Sequence, residues 1–351
     1  MDVIRRRDFL KAGAVLPLFG LPGRASAARE KSCILLMLVG GPSHVDTWDP
    51  KPDAPSNVRG PFRPIKTNVP GVEISEIFPR MARHAGKYAL IRSVHHEAAA
   101  VHDTGYQLMQ TGRLAHEDGE YPHIGCVVAR ETGTRHVILP HPIRNTGLNL
   151  ANGQSAGFLG ENHEPHLMIG PFDLSSEPDD LRASYGFNSF GESCLMARRL
   201  VESGTRFVTV NMFDTVFDRV TWDSHGSKPF SSIADYRDHV GPVFDNAYSS
   251  LLEDLSRRGM LESTLVVGTG EFGRSPRINP AGGRDHWPQC WTIHMAGGGI
   301  KGGQIYGSSD KIGAEPKDDP VSPGAVVATI HHALGVPPVA SFPQPLTQLF
   351  A

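Results

Sequence analysis

Four Gly-rich loops of this sequence gather carboxylate and imidazole side chains. His44 and Asp46 stand in Gly40–Asp49, Asp223 and His225 in Trp222–Gly226, and Glu271 and Arg274 in Gly270–Arg274. Arg284, His286 and Trp287 stand in Gly283–Trp287, and a fifth segment, His95–Asp103, contains His102. Oxygen and nitrogen ligands drawn from separate loops suit a divalent ion: zinc first, with manganese or calcium as alternatives. Two such ions about 3.5–4 Å apart would clamp both oxygens of a phosphoryl or sulfuryl transfer. Arg274 and Arg284 fit a bidentate grip on an anionic ester, or equally ion pairs with Glu271 and Asp285. Glu271 also reads as a helix N-cap, and Trp287 as either the wall of a sugar-sized pocket or core. One Asp-x-His is an ordinary turn; the metal reading rests on several such loops arriving together.

What would bring them together is a sheet. Cys33–Val39 is a continuous apolar run, the pattern of a strand buried on both faces. Tyr88–Val94, Arg206–Met212 and Leu265–Thr269 repeat it, and Trp291–Ala296 repeats it more weakly. The polar loops follow these runs. Between them, Ser189–Ser203, Ile233–Leu261 and Val326–Leu334 carry apolar residues at helical spacing, with Gly204 and Gly259 as stops. Alternating strands and helices predict an α/β fold, a mostly parallel central sheet with helices on both faces. Ligands in such folds collect at the carboxyl ends of the strands. Residues 140–186, rich in Pro, Gly and Asn, read as an irregular insertion and an abbreviated cap.

The N-terminus adds an address. Arg5-Arg6-Arg7-Asp8-Phe9-Leu10-Lys11, an apolar stretch from Ala12 to Leu21 and Ala25-Ser26-Ala27 have the order of a twin-arginine signal with a cleavage site. Residues 1–27 are therefore predicted to leave a domain of residues 28–351, exported folded by the twin-arginine translocase to the periplasm or beyond. The apolar stretch is too short for a membrane span, and no later segment reaches that length. A net charge of −3 argues against a nucleic-acid or membrane-surface partner. The four cysteines, Cys33, Cys126, Cys194 and Cys290, form no CxxC pair and read as buried thiols.

Beyond these patterns, the chain resembles the DUF1501 family, whose members are similar to the alkaline phosphatase and sulfatase superfamily. The resemblance is carried by GGPSHVDTWDPKP at 40–52, QTGR at 110–113, AGFLGEN at 156–162 and the long run from Tyr185 to Asn211. It continues through WDSHG at 222–226, TGEFGRSPRIN at 269–279, GRDHWP at 283–288 and GGGIKGGQIYGSSD at 297–310. It implies an alkaline-phosphatase-like fold with metal ligands among His44, Asp46, Asp223, His225, Glu271 and His286. Phe272 stands where the superfamily places a histidine, and His102 where it places a hydroxyl nucleophile; the sulfatase C/S-x-P-x-R signature is absent. The implied chemistry is hydrolysis of a phosphate or sulfate ester by a metal-activated water, with His102 and Arg274 catalytic and Arg284 and Trp287 on the substrate. The alternative is a non-catalytic metal- or glycan-binding protein on the same fold.

Overall fold

The run Ser32–Met37 (β1), buried at every residue, forms the middle of an eight-stranded sheet. The computed structural model describes residues 30–117, 119–145, 149–339 and 341–351, so the leader read at residues 1–27 lies outside the described residues. The other strands of the sheet begin with Tyr88–Val94 (β2), His136–Leu139 (β3), His166–Leu167 (β4), Phe207–Asn211 (β5) and Thr264–Thr269 (β6). Gly273–Arg274 (β7) and His286–Trp287 (β8) form a small antiparallel ribbon of their own. Trp291–Ala296 (β9) and Ile305–Tyr306 (β10) complete the large sheet, in the order β10-β2-β9-β6-β1-β5-β3-β4. β1 pairs in parallel with β5 and β6, and β5 with β3; β9 runs antiparallel between β6 and β2.

Helices cover both faces, as the alternation of strands and helices requires. They are His102–Thr111 (α1), Ile124–Thr132 (α2), Ser189–Glu202 (α3), Gly241–Arg257 (α4) and Pro323–Leu334 (α5). Successive side chains of a strand point to opposite faces, and β1 shows the division. Ile34, Leu36 and Leu38 join one core layer with residues of α3 and α4, among them Leu195, Phe244 and Leu251. Cys33, Leu35, Met37 and Val39 join the other, with Tyr106 of α1, Ile124 of α2 and Val326 of α5. This is an α/β architecture with a mostly parallel central sheet and helices on both faces, as the sequence predicts. Cys33, Cys126, Cys194 and Cys290 are free and buried. Among the described residues no helix is long and apolar enough to cross a membrane.

Two stretches differ from the sequence reading. The helical pattern read over Ile233–Leu261 is a π-turn at Tyr236–Val240 leading into α4, because Pro242 sits at the helix start, where a missing N–H costs least. The segment from His102 to Thr111, to which the sequence reading assigns no element, is a ten-residue helix. Within 140–186 lie β4, two 3-10 turns and a helix at Asp179–Tyr185.

Candidate metal and active site

The ends of β1, β2, β5 and β6 deliver the polar loops to one rim of the sheet. Gly40, just beyond β1, has φ of 109°, and a Cβ there would sit 2.5 Å from the Asp223 nitrogen. The backbone around Trp222 and Asp223 can therefore lie directly on the end of β1 only because residue 40 is glycine. The Tyr236 hydroxyl, donating to the Trp222 carbonyl at 2.7 Å, holds that loop from beneath. Across the rim, α1 starts at His102 and approaches β6 closely: a Cβ on Gly105 would meet the Glu271 carbonyl oxygen at 2.6 Å. His102 is thereby brought to Glu271 and Asp223.

The resulting cluster is tight. His102, Asp223 and His286 each offer one ligand atom, and the three lie within 4.8 Å of one another. Each imidazole is anchored through its other nitrogen. His102 Nδ1 is 2.6 Å from Glu271 Oε1, and His286 Nδ1 is 2.8 Å from the Ala100 carbonyl oxygen. With those nitrogens donating, both Nε2 lone pairs face the cluster, the arrangement that fixes metal-ligating histidines. Asp223 is fully buried, and its Oδ2 has no hydrogen-bond partner. A buried carboxylate oxygen without a donor is costly, and a cation would satisfy it. The residues present thus fit a divalent ion.

Charge around the cluster is arranged to match. Burial alone would lift the Asp223 pKa, but the Arg274 guanidinium and the three surrounding histidines hold it far below the carboxylate range. Burial would lower the pKa of His102, yet the Asp223 carboxylate 3.6 Å from its Nε2 and the Glu271 carboxylate on its Nδ1 outweigh this and raise it. The two carboxylates that favour a proton on that ring equally favour a metal ion beside it. Burial dominates at His286 and lowers its pKa. Phe272 lies 5.1 Å from the His102 ring and 4.5 Å from that of His286, closing the site on one side.

The sequence-derived candidates separate into three groups. Asp223 and His286 lie in the cluster with His102, which was read as an assisting group rather than a ligand. Glu271, read as a ligand, stands behind His102; its Oε1 also accepts from the Gly40 N–H at 2.9 Å. His225 is at the margin, with Nε2 3.0 Å from Asp223 Oδ1 and 3.1 Å from His286 Nε2. Arg274 is buried against Asp223 Oδ1. Its remaining N–H groups go to the carbonyls of Gly40, Gly41 and Arg284 and to His225, so none is free for substrate.

His44, Asp46, Arg284 and Trp287 are elsewhere. Asp46, read as a ligand, is bonded instead to Arg284, read as a substrate clamp: Nε to Oδ2 at 2.6 Å and Nη2 to Oδ1 at 3.0 Å. The other three N–H groups of Arg284 serve the carbonyls of Val58, Ser275 and Pro276, and both side chains are fully buried. His44 Nε2 bonds the Gly313 carbonyl oxygen at 2.7 Å, and burial lowers its pKa to about 4. The Trp287 indole donates to the Ala314 carbonyl oxygen at 2.7 Å. Sequence reasoning did not find the cavity beside the cluster, about 250 Å³, to which Val101, Tyr106, Arg144, Val216 and Phe217 contribute. No sequence motif marks it, because its walls come from α1 and two distant loops.

A solved structure shares the fold. A protein of the alkaline phosphatase superfamily from Vibrio parahaemolyticus superposes with a TM-score of 0.50 at 11% identity, over 92% of this chain and 71% of that one. The PsFucS1 sulfatase from Pseudoalteromonas sp. gives 0.46 at 13% identity over 92% and 72%. The C-terminal periplasmic domain of EcEptC from Escherichia coli, in complex with Zn, gives 0.48 at 9% identity over 90% and 85%. At 11% identity the likeness to the first of these is one of fold. No curated protein sequence matches the chain. Residues 30–171 and 169–350 match the family described as "Protein of unknown function (DUF1501)", and the chain belongs to that family.

Proposed function

We propose that this protein is a hydrolase of phosphate or sulfate esters that works with one divalent ion, zinc first among the candidates. His102 Nε2, His286 Nε2 and Asp223 Oδ2 would hold the ion. The observation that carries the reading is their convergence, with the other nitrogen of each histidine already tied down and the Asp223 oxygen left without a donor. When bound, the ion supplies Lewis acidity to an ester oxygen and acidifies a water molecule. The chain supplies the rest. Glu271 fixes the His102 tautomer. Arg274 neutralises Asp223 Oδ1, so the carboxylate addresses an ion through Oδ2 alone; this supports one ion rather than two. His225, one-quarter exposed beside His286, is the imidazole positioned to take or return a proton.

Aryl phosphate and aryl sulfate turnover by the zinc-loaded protein, lost in Asp223→Ala, tests the reading. Retained turnover in that variant, or protein that takes up no ion, would sink it. One observation favours the non-catalytic alternative. Every N–H of Arg274 and Arg284 is engaged within the protein, leaving neither to stabilise a transferring group. Tight binding of an anionic ester or glycan without turnover would select that alternative. The twin-arginine leader supports a place of action outside the cytoplasm, reached in the folded state through the twin-arginine translocase.

A further inference from the structure

We propose that the cavity beside the cluster is the subsite for the alcohol portion of the ester, and that it takes a phenyl-sized apolar group rather than a sugar. This rests on the ester-hydrolase reading and gives it a substrate class. The cavity opens directly onto His102 and His286 and holds about 250 Å³. A dry cavity of about 150 Å³ already admits benzene, so a single ring with its anionic group fits, whereas a stretch of polysaccharide does not. Val101, Val216 and Phe217 form its apolar wall. Val101 is 51% exposed although it directly precedes His102, so a ring seated there would cover apolar surface that water now touches.

The two charged groups of the lining, Asp103 and Arg144, already have partners. Asp103 accepts from the Asn152 backbone N–H at 2.9 Å and from its side chain at 2.6 Å. Arg144 donates to Asp214 Oδ2 at 2.6 Å, and Arg219 lies 3.1 Å from Asp214 Oδ1. A sugar's several hydroxyls would have to share these engaged groups and face Val101, Val216 and Phe217, which is unfavourable. With Asp103, which also lines the cavity, Arg144, Arg219 and Asp214 carry no net charge, so attraction of an anion falls to the Arg144 guanidinium on that lining and does not select among anions.

The test uses the full chain reconstituted with zinc and three non-hydrolysable probes in calorimetric titration: methylphosphonate, phenylphosphonate and a glucose phosphonate. Phenylphosphonate is expected to bind at least tenfold tighter than methylphosphonate, and the glucose compound no tighter than methylphosphonate. Phe217→Ala should reduce the phenyl preference to threefold or less and leave methylphosphonate affinity unchanged, while Phe217→Leu should retain the preference and controls for folding. Arg144→Gln should weaken all three probes by a common factor that shrinks as salt rises. Equal affinity for methyl- and phenylphosphonate, or tightest binding of the glucose compound, overturns the subsite and leaves the ester reading standing. Failure of all three to bind overturns both.

Discussion

At the scale of single residues, the number of unengaged lone pairs and N–H groups decides what a buried charge is for. All five Arg284 N–H groups and both Asp46 oxygens are engaged, so their bond is internal. Removing one partner of such a pair leaves the other charged and buried, which costs about 3–5 kcal/mol. Arg284→Met should therefore lower the urea midpoint by a stability loss of that size and leave zinc content at the wild-type level. A stable variant that had lost anion binding would return Arg284 to the substrate. Glu271 is the opposite case, acting through His102. Glu271→Ala should weaken zinc binding about 10- to 100-fold in a chelator competition. Glu271→Gln, still able to accept from His102, should recover much of it; equal loss in both variants would make Glu271 a direct ligand. The sequence displayed all of these residues as polar loops after apolar runs. It did not display their pairing, because Asp46 meets Arg284 across 238 positions and nothing local to either residue reports the other.

At the scale of elements, legibility followed the length of the apolar run: β3, buried at all four of its residues, is too short to stand out. β1, β2, β6 and β9 announce themselves as apolar runs, since a strand covered on both faces has no polar side to alternate with. α1 does not, because its His102-Asp103-Thr104 start is polar and its apolar residues are few. Yet α1 carries one ligand, and its approach depends on Gly105. Alanine is the better helix former by about 1 kcal/mol, so Gly105→Ala should raise the helicity of that segment. The added Cβ would also collide with Glu271 backbone and side chain, at 2.6 and 2.8 Å, and push α1 away. Contact wins over propensity here, because backbone atoms of β6 and its following turn cannot swing aside. The variant should fold and lose at least tenfold in zinc affinity. Wild-type affinity would mean that His102 does not need this approach to reach the site.

At the scale of the whole molecule, five histidines outside the cluster share one property. His44, His123, His136, His294 and His331 are each buried to within 2% of complete; burial lowers the pKa of His136 well below the usual value and those of the other four to about 4, about 3, about 3 and about 4. Both ring nitrogens of His294 and His331 lack partners. In the unfolded chain each would titrate near 6.5. Below that pH the unfolded state binds more protons than the folded one, so folding stability falls as pH falls. The contribution of these histidines is complete above pH 6.5 and is lost progressively toward pH 3–4. Each adds up to about 1.4 kcal/mol per pH unit; allowing for relaxation of their surroundings, a combined loss on the order of 5 kcal/mol by pH 4.5 is expected. His102 has a raised pKa and opposes this only as a single group. Against a total stability of about 5–15 kcal/mol, the protein should be stable at pH 7.5 and marginal near pH 4.5. Urea unfolding across that range measures it, and His331→Leu, which replaces a neutral buried ring with an apolar side chain, should flatten the slope by about one histidine's share. A urea midpoint that stays level from pH 7.5 to 4.5 would mean that these histidines take up protons in the folded state as readily as in the unfolded chain, against the burial that lowers their pKa values.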